Sequence, residues 1–337
     1  MPSTTSRSVG AACGLAGAVL FGANGSLTKA VMASGLTPMQ VTQFRTLAMA
    51  VLAGLVLLVA DRGAFRLSRG RLWRMALLGI VGMAGLQTAY AAAIEALPVG
   101  IALLLEYLAV LAVAVIARVF FRERVRSRVW IAIVLVLGGI AVVSRAWAGA
   151  LDAWGVAIGL VAAACLTFYF VYGERQISAT SPLATAFWSA LFATIACASF
   201  SGWWTLAPAA FAEPVSLQGN LAAIRVPMWV PLLGVMALGT FVPFVLSFVA
   251  LRRLRATTAG ILASSEVVFA FVVAWVWLGE MLDWLQILGG AAVLVGIVLA
   301  QTARPHAVAD PDLAVASEPV SALTGPVPRV GRDEPST

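Results

Sequence analysis

Residues 100–106 read GIALLLE and residues 260–266 read GILASSE, each opening on Gly-Ile and placing a glutamate six residues after the glycine. Both lie within long apolar runs. The correspondence continues outward: Phe121-Arg122-Glu123 aligns with Leu278-Gly279-Glu280, and sixteen residues beyond each of those glutamates stands a Gly-Ile pair, Gly139-Ile140 and Gly296-Ile297. The chain therefore reads as two copies of one unit. With five spans per unit, an odd number, the second copy crosses a bilayer in the opposite sense to the first. Inverted halves that exchange conformations convert an inward-open cavity into an outward-open one, so the pattern implies a carrier.

Composition reaches the membrane independently. With 61% hydrophobic and 11% charged residues over 337 positions, the chain has more apolar surface than a water-soluble domain buries, so an all-α integral membrane protein with a lipid-bilayer partner is expected. The net charge of +7 does not point to nucleic acid, because the basic residues sit in short loops between apolar runs, where they set topology. Cys13, Cys165 and Cys197 fall inside predicted spans without metal-ligand spacing, so they read as small packing residues; no cofactor, metal or disulfide framework is expected.

Ten transmembrane helices fit, at about 9–31, 38–60, 72–95, 98–121, 127–145, 154–176, 182–204, 229–251, 256–278 and 284–302, each near the ~20 residues that cross the hydrocarbon core. They group into two inverted five-helix repeats, residues 9–145 and 154–302, followed by a tail, residues 303–337, rich in Pro, Ala, Val, Ser and acidic residues, that reads as disordered and cytoplasmic. Arg62, Arg66, Arg69, Arg71 and Arg74, then Arg118, Arg122, Arg124, Arg126 and Arg128, then Arg252, Arg253 and Arg255 fall on one side. The alternate loops carry only Arg145 and Arg225. The positive-inside rule then puts both termini in the cytoplasm of a bacterial-type cell membrane. Trp147, Trp154, Trp203, Trp204, Trp229 and Trp284 gather at the predicted outer ends as interfacial anchors. Residues 205–228, interrupted by Pro208, Pro214 and Pro227, are too polar to span and read as a partly ordered outer cap.

The detailed sequence resembles a known family. FGANGSLTK at residues 21–29 is similar to the opening of EamA-type carriers of the drug/metabolite transporter superfamily, and Arg45 matches their usual arginine in span 2. Residues 250–280 and 285–300 resemble the family's second repeat nearly throughout, and the likeness covers about residues 10–302. Val267 and Val110 stand where members often carry proline, so a proline-made break is not expected in either helix. The resemblance implies a ten-span exporter or exchanger of small organic metabolites such as amino acids, without supplying the substrate.

Intramembrane polar residues mark the candidate site. Counting ~1.5 Å of rise per residue, Arg45 lies roughly 10 Å and Glu106 roughly 12 Å below the outer face, with Asn24 and Gln87 in the same layer. Facing lipid would be costly, so they are expected to face the bundle interior and one another, either as a substrate-binding or gating set or as a polar clamp. Glu266, roughly 15 Å from the cytoplasmic face by the same count, has no basic counterpart in its half, Ser189 standing at the Arg45 position. Desolvation there favours the neutral acid, which fits either proton coupling or a hydrogen bond to Ser264, Ser265 or a helix carbonyl. Tyr90, Tyr169, Thr240 and Phe244 line the cavity or serve as packing, and Lys29 reads as snorkelling to the interface. Gly10 with Gly14, and Gly79, Gly82 and Gly85, make smooth faces for close helix packing.

Three function classes compete: a secondary transporter with a small-molecule substrate, compatible with a homodimer; a channel or receptor-like protein; and a membrane-embedded enzyme. The inverted repeat weighs against the second. Against the third, the one histidine, His306, lies in the tail, and neither a clustered Cys/His/acidic constellation nor a P-loop is present in the sequence.

Overall fold

Long apolar stretches fold as helices because a helix satisfies its own backbone N–H and C=O groups and leaves only side chains to meet lipid. The computed structural model describes residues 4–119, 127–143, 151–177, 181–254, 256–281 and 283–303. Among them, eight helical segments are long and apolar enough to cross a membrane: Ser8–Met32, Pro38–Ala60, Arg69–Ala96, Val99–Val119, Ala153–Gly173, Pro182–Phe200, Trp229–Arg253 and Thr258–Leu278. Arg128–Val143 and Trp284–Ala300 are apolar but shorter. The protein is thus a helical, multi-pass membrane protein, with a helix at each position expected from sequence. Arg122, Arg124, Arg126, Arg145, Trp147, Arg255, His306 and residues 304–337 of the tail lie outside the described residues.

In chain order, α1 is Thr4–Met32 and α2 is Pro38–Ala60. Helix α3 (Arg69–Leu77) continues through a π-helical stretch, Leu78–Gly85, into α4 (Leu86–Ala96). Then come α5 (Val99–Glu106), α6 (Leu108–Val119) and α7 (Ser127–Val143), followed by α8 (Ala153–Ile177) and α9 (Pro182–Phe200). Helix α10 (Trp229–Met236) runs through a second π-helical stretch, Ala237–Phe241, into α11 (Val242–Arg253). Helix α12 (Ala256–Val273) ends in a third, Ala274–Leu278, and α13 is Trp284–Ala303. Local chemistry sets several ends. Thr37 and Gln40 form a reciprocal capping box before α2, with Pro38 in the first turn, and the Ser181 hydroxyl accepts from the Ala184 amide to start α9.

Two local details add to the expected fold. Within span 4 the helix tightens at Tyr107, which donates its amide to the carbonyls of Leu103 and Leu105, while the Val110 amide donates to the Tyr107 carbonyl. This tightened turn interrupts the helix without a proline. The outer cap adds a short hairpin to this all-helical bundle. Strands β1 (Pro214–Ser216) and β2 (Arg225–Pro227) pair antiparallel, Val215 opposite Val226, in the outer cap. Short extended pieces flanked by prolines cannot join a helix, so they satisfy their backbone in a hairpin.

Helix α7 packs on α13, α1 on α11 and α12, α2 on α9, and α4, α5 and α6 on α8. Every residue of α5 is buried, with Ile101 and Leu104 among the most deeply enclosed large side chains, so α5 is the centre of the core. Leu55, Val59, Val134 and Phe200 are exposed, as lipid-facing positions are. Helices α7 and α13 cross backbone to backbone: a Cβ on Gly139 would strike the Gly289 carbonyl, and one on Gly289 the Gly139 carbonyl. The expected glycine faces pack closely too, Gly79 on the Ser189 carbonyl, Gly82 on Tyr169, and Gly14 on Leu262 and Ala250. Arg62, Arg66, Arg69, Arg71 and Arg74 are exposed on the face opposite the hairpin.

Candidate functional site

The second of the three π-helical stretches carries part of the site. A π turn widens the helix and shifts its hydrogen-bond register, which exposes polar backbone to side chains. In the second stretch the Thr240 hydroxyl donates to the Val235 carbonyl, five residues back, at 3.1 Å. The same oxygen accepts from Arg45 Nε at 3.2 Å, and Arg45 Nη2 reaches the Gly239 carbonyl at 3.5 Å. Arg45 is on α2 and only 7% exposed, so its guanidinium is desolvated and held across the boundary between the two halves. Asn24 of α1 lies against Gly239, where any side chain would overlap its carboxamide, and its Oδ1 accepts from Thr28 at 3.4 Å. Arg45, Thr240 and Asn24 therefore form one polar group.

A second group surrounds Tyr90. Its hydroxyl abuts Gly25 of α1. Glu106 is buried at the C-terminal end of α5, and the next residue, Tyr107, donates from its hydroxyl to Glu266 Oε2 at 3.1 Å. That hydroxyl thus reaches α12 across 159 positions. Ser264 and Ser265, the expected neighbours of Glu266, donate to the Gly260 and Leu262 carbonyls of their own helix. Gln87, one turn before Tyr90 on α4, has a buried Oε1 with no hydrogen-bond partner among the described residues. Tyr169 and Phe244 are buried together with Met49, Leu78 and Met83 in a separate apolar cluster, and so stand as a wall beside the polar groups.

Lys29 needs correction. Its Nζ does not extend to the interface alone but pairs with Glu280 Oε1 at 2.6 Å and donates to the Leu97 carbonyl at 3.3 Å. Glu280 Oε2 in turn accepts the Val99 amide at 2.9 Å, at the start of α5. Sequence reasoning missed Glu280 and Tyr107 as site residues. The repeat did single out Glu280, as the counterpart of Glu123, but its partner lies 251 positions away and leaves no local signal.

Buried cationic, acidic and amide groups around a kinked helix, inside a bundle of apolar membrane-crossing helices, are the setting of a membrane transporter that takes a small molecule. The family model for the EamA-like transporter family matches residues 8–145 and again residues 153–302, and the chain belongs to that family, within the drug/metabolite transporter superfamily. The threonine/homoserine exporter RhtA of Escherichia coli strain K12 is 29% identical over 247 residues, 72% of this chain and 76% of the exporter. The exporter of the same name from Salmonella typhimurium strain LT2 is likewise 29% identical, over 248 residues, again 72% of this chain and 76% of its own length. An uncharacterized transporter of Archaeoglobus fulgidus is 29% identical over 211 residues, 63% of this chain and 70% of its own. A solved crystal structure shares the fold with a TM-score of 0.58 at 18% identity, over 87% of this chain and 96% of the other.

Proposed function

We propose that the protein is a secondary carrier that exports small amino acids by alternating access between two inverted five-helix halves, residues 9–145 and 154–302. The arginine-rich loops and both termini lie in the cytoplasm, and the hairpin cap lies outside. The observation that carries the reading is charge of both signs held inside the bundle: Arg45 buried and fixed on Thr240 and Gly239, Glu106 buried at the end of α5, and Glu266 on the Tyr107 hydroxyl. A zwitterion needs such a pair of poles. Arg45 supplies donors for an α-carboxylate, and the glutamates supply acceptors for an ammonium. Asn24 and the Gln87 carboxamide are suited to a short hydroxylated side chain, in keeping with the threonine and homoserine named for the bacterial relatives. The second halves of the contacts repeat the first in exchanged roles, α1 against α11 and α12 as α8 lies against α4, α5 and α6, which supports the inverted arrangement. Glu266, held by a neutral hydroxyl, is the proposed proton-coupling group.

Purified protein in proteoliposomes preloaded with unlabelled threonine is expected to take up labelled threonine by saturable counterflow, with homoserine competing. Arg45→Ala is expected to weaken apparent affinity roughly ten- to a hundredfold, the range for losing a hydrogen bond to a charged group. Absence of counterflow for either amino acid sinks the substrate assignment, and flux that does not saturate would place the protein among channels.

A further inference from the structure

The connection from α2 into α3 carries Arg62, Arg66, Arg69, Arg71 and Arg74, all exposed. Two of them are engaged locally: Arg62 Nε donates to the Leu58 carbonyl at 2.9 Å, and Arg71 Nε to the Ser68 hydroxyl at 3.4 Å. Arg66, Arg69 and Arg74 have neither a hydrogen bond nor an ion pair among the described residues. The one acidic residue of the connection, Asp61, has an oxygen on the Gly63 amide at 2.9 Å. Topology alone does not account for this arrangement. The positive-inside rule asks for basic residues here, lysine or arginine alike, and is indifferent to where each one stands. Helix chemistry argues against two of the positions, because Arg69 and Arg71 occupy the first turn of α3, where the dipole disfavours cations, and no acidic residue offsets them there.

The connection is also held in one shape. Trp188 of α9 donates its indole N–H to the Ala64 carbonyl at 3.0 Å, the Phe65 ring meets Phe187 edge to face at 5.1 Å, and Ala64 and Met75 are buried on either side of the three free guanidinium groups' stretch of chain. Guanidinium groups carried on an ordered turn lose less freedom on taking a ligand than those of a loose segment.

The second half of the ligand is indicated by Trp73. Its side chain is 69% exposed, stands next to Arg74 and one helical turn after Arg69, and has no hydrogen-bond partner for its indole N–H among the described residues. Along the same side follow Leu77, half-buried, then Ile80 and Val81, exposed, while Met75, Ala76 and Leu78 turn inward. The side of α3 that leads away from the arginines is therefore apolar and open to lipid, with the indole where headgroup gives way to acyl chain. A soluble anion would use the arginines and leave this stripe idle. A phospholipid uses both.

We infer that Arg66, Arg69 and Arg74, with Trp73 beside them, form a binding site for an anionic phospholipid, its phosphate on the guanidinium groups and a chain along Leu77, Ile80 and Val81. Arginine suits the task because its planar fork meets two phosphate oxygens at once. Binding there does not depend on what the protein carries.

Native mass spectrometry of the full chain in neutral detergent, titrated with phosphatidylglycerol or with phosphatidylcholine of the same chains, tests the site through the first lipid bound. Phosphatidylglycerol is expected to bind roughly ten- to a hundredfold more tightly, and Arg66→Gln, Arg69→Gln and Arg74→Gln are each expected to narrow that gap about fivefold, the effect of one basic residue at an anionic lipid surface. Each single variant leaves the other four arginines of the connection to set its orientation. Arg252, exposed at the end of α11 and lying over the Phe248 ring at 4.7 Å, provides the control, and Arg252→Gln is expected to keep the full preference. Equal affinity for the two lipids overturns the site, as does a preference undiminished in all three glutamine variants. A loss in Arg252→Gln as large as theirs also overturns it, since attraction would then be spread over every basic loop. Displacement of phosphatidylglycerol by equimolar inorganic phosphate overturns a lipid as the ligand.

Discussion

Glu266 takes a hydrogen bond from the Tyr107 phenol, and a phenol hydroxyl stabilises a carboxyl group without neutralising it. If Glu266 is the coupling group, Glu266→Gln mimics the protonated acid. Exchange of labelled for unlabelled solute is then retained while accumulation driven by an imposed pH gradient is lost. Proteoliposomes with and without the gradient check this, and unchanged gradient-driven uptake removes Glu266 from the coupling step. Arg45 behaves differently at the same scale, because Thr240 and Gly239 already occupy its Nε and Nη2. Its position was legible from sequence as an arginine in an apolar run, but its hold on Thr240, 195 residues away, belongs to tertiary structure.

Among the elements, the glycines separate contact from mere composition. Gly138 and Gly139 are neighbours on α7, yet a Cβ on Gly138 meets nothing within 4 Å, while one on Gly139 would meet the Gly289 backbone and Val293. Gly139→Ala is expected to cost about 1–3 kcal/mol by forcing α7 and α13 apart. Gly138→Ala is expected to be neutral or to stabilise by about 0.5–1 kcal/mol through reduced backbone freedom. Thermal unfolding of the two variants side by side in detergent checks the contrast, and equal melting temperatures would mean that the crossing is looser than described. The break at Tyr107 is the complementary case. With Val110 in place of a proline, sequence offered no reason for span 4 to stop at Glu106, and the tightened turn between Leu103 and Val110 is sustained by the packing around it.

For the whole molecule, the loop of exposed arginines at residues 62–74 meets the start of α9 through Ala64 and Trp188, and the other end of α9 leads to the hairpin cap, so the proposed orientation sets the first in the cytoplasm and the second outside. Ala223 is exposed in the turn between the strands. Ala223→Cys in a background free of native cysteines is expected to react with an impermeant reagent in intact cells. A residue that labels only after lysis would reverse the orientation and, with it, the direction assigned to export.

Sequence alone determined the membrane class, the placement of the apolar helices, the family, and the polar residues that cannot face lipid, because each follows from local composition, period or the repeat itself. Asn24, Arg45, Tyr90 and Glu106 were legible for that reason. Tertiary structure alone decided which of them meet. Arg45 on Thr240, Glu266 on Tyr107 and Lys29 on Glu280 join positions 195, 159 and 251 residues apart, and the energy of such a pair depends on a geometry that no window of sequence contains. The same holds for the kink at Tyr107 and the hairpin of the cap. The hairpin cap is tied to α12 by Trp277 on the Leu217 carbonyl and Asn220 on the Val276 carbonyl, across 60 and 56 positions.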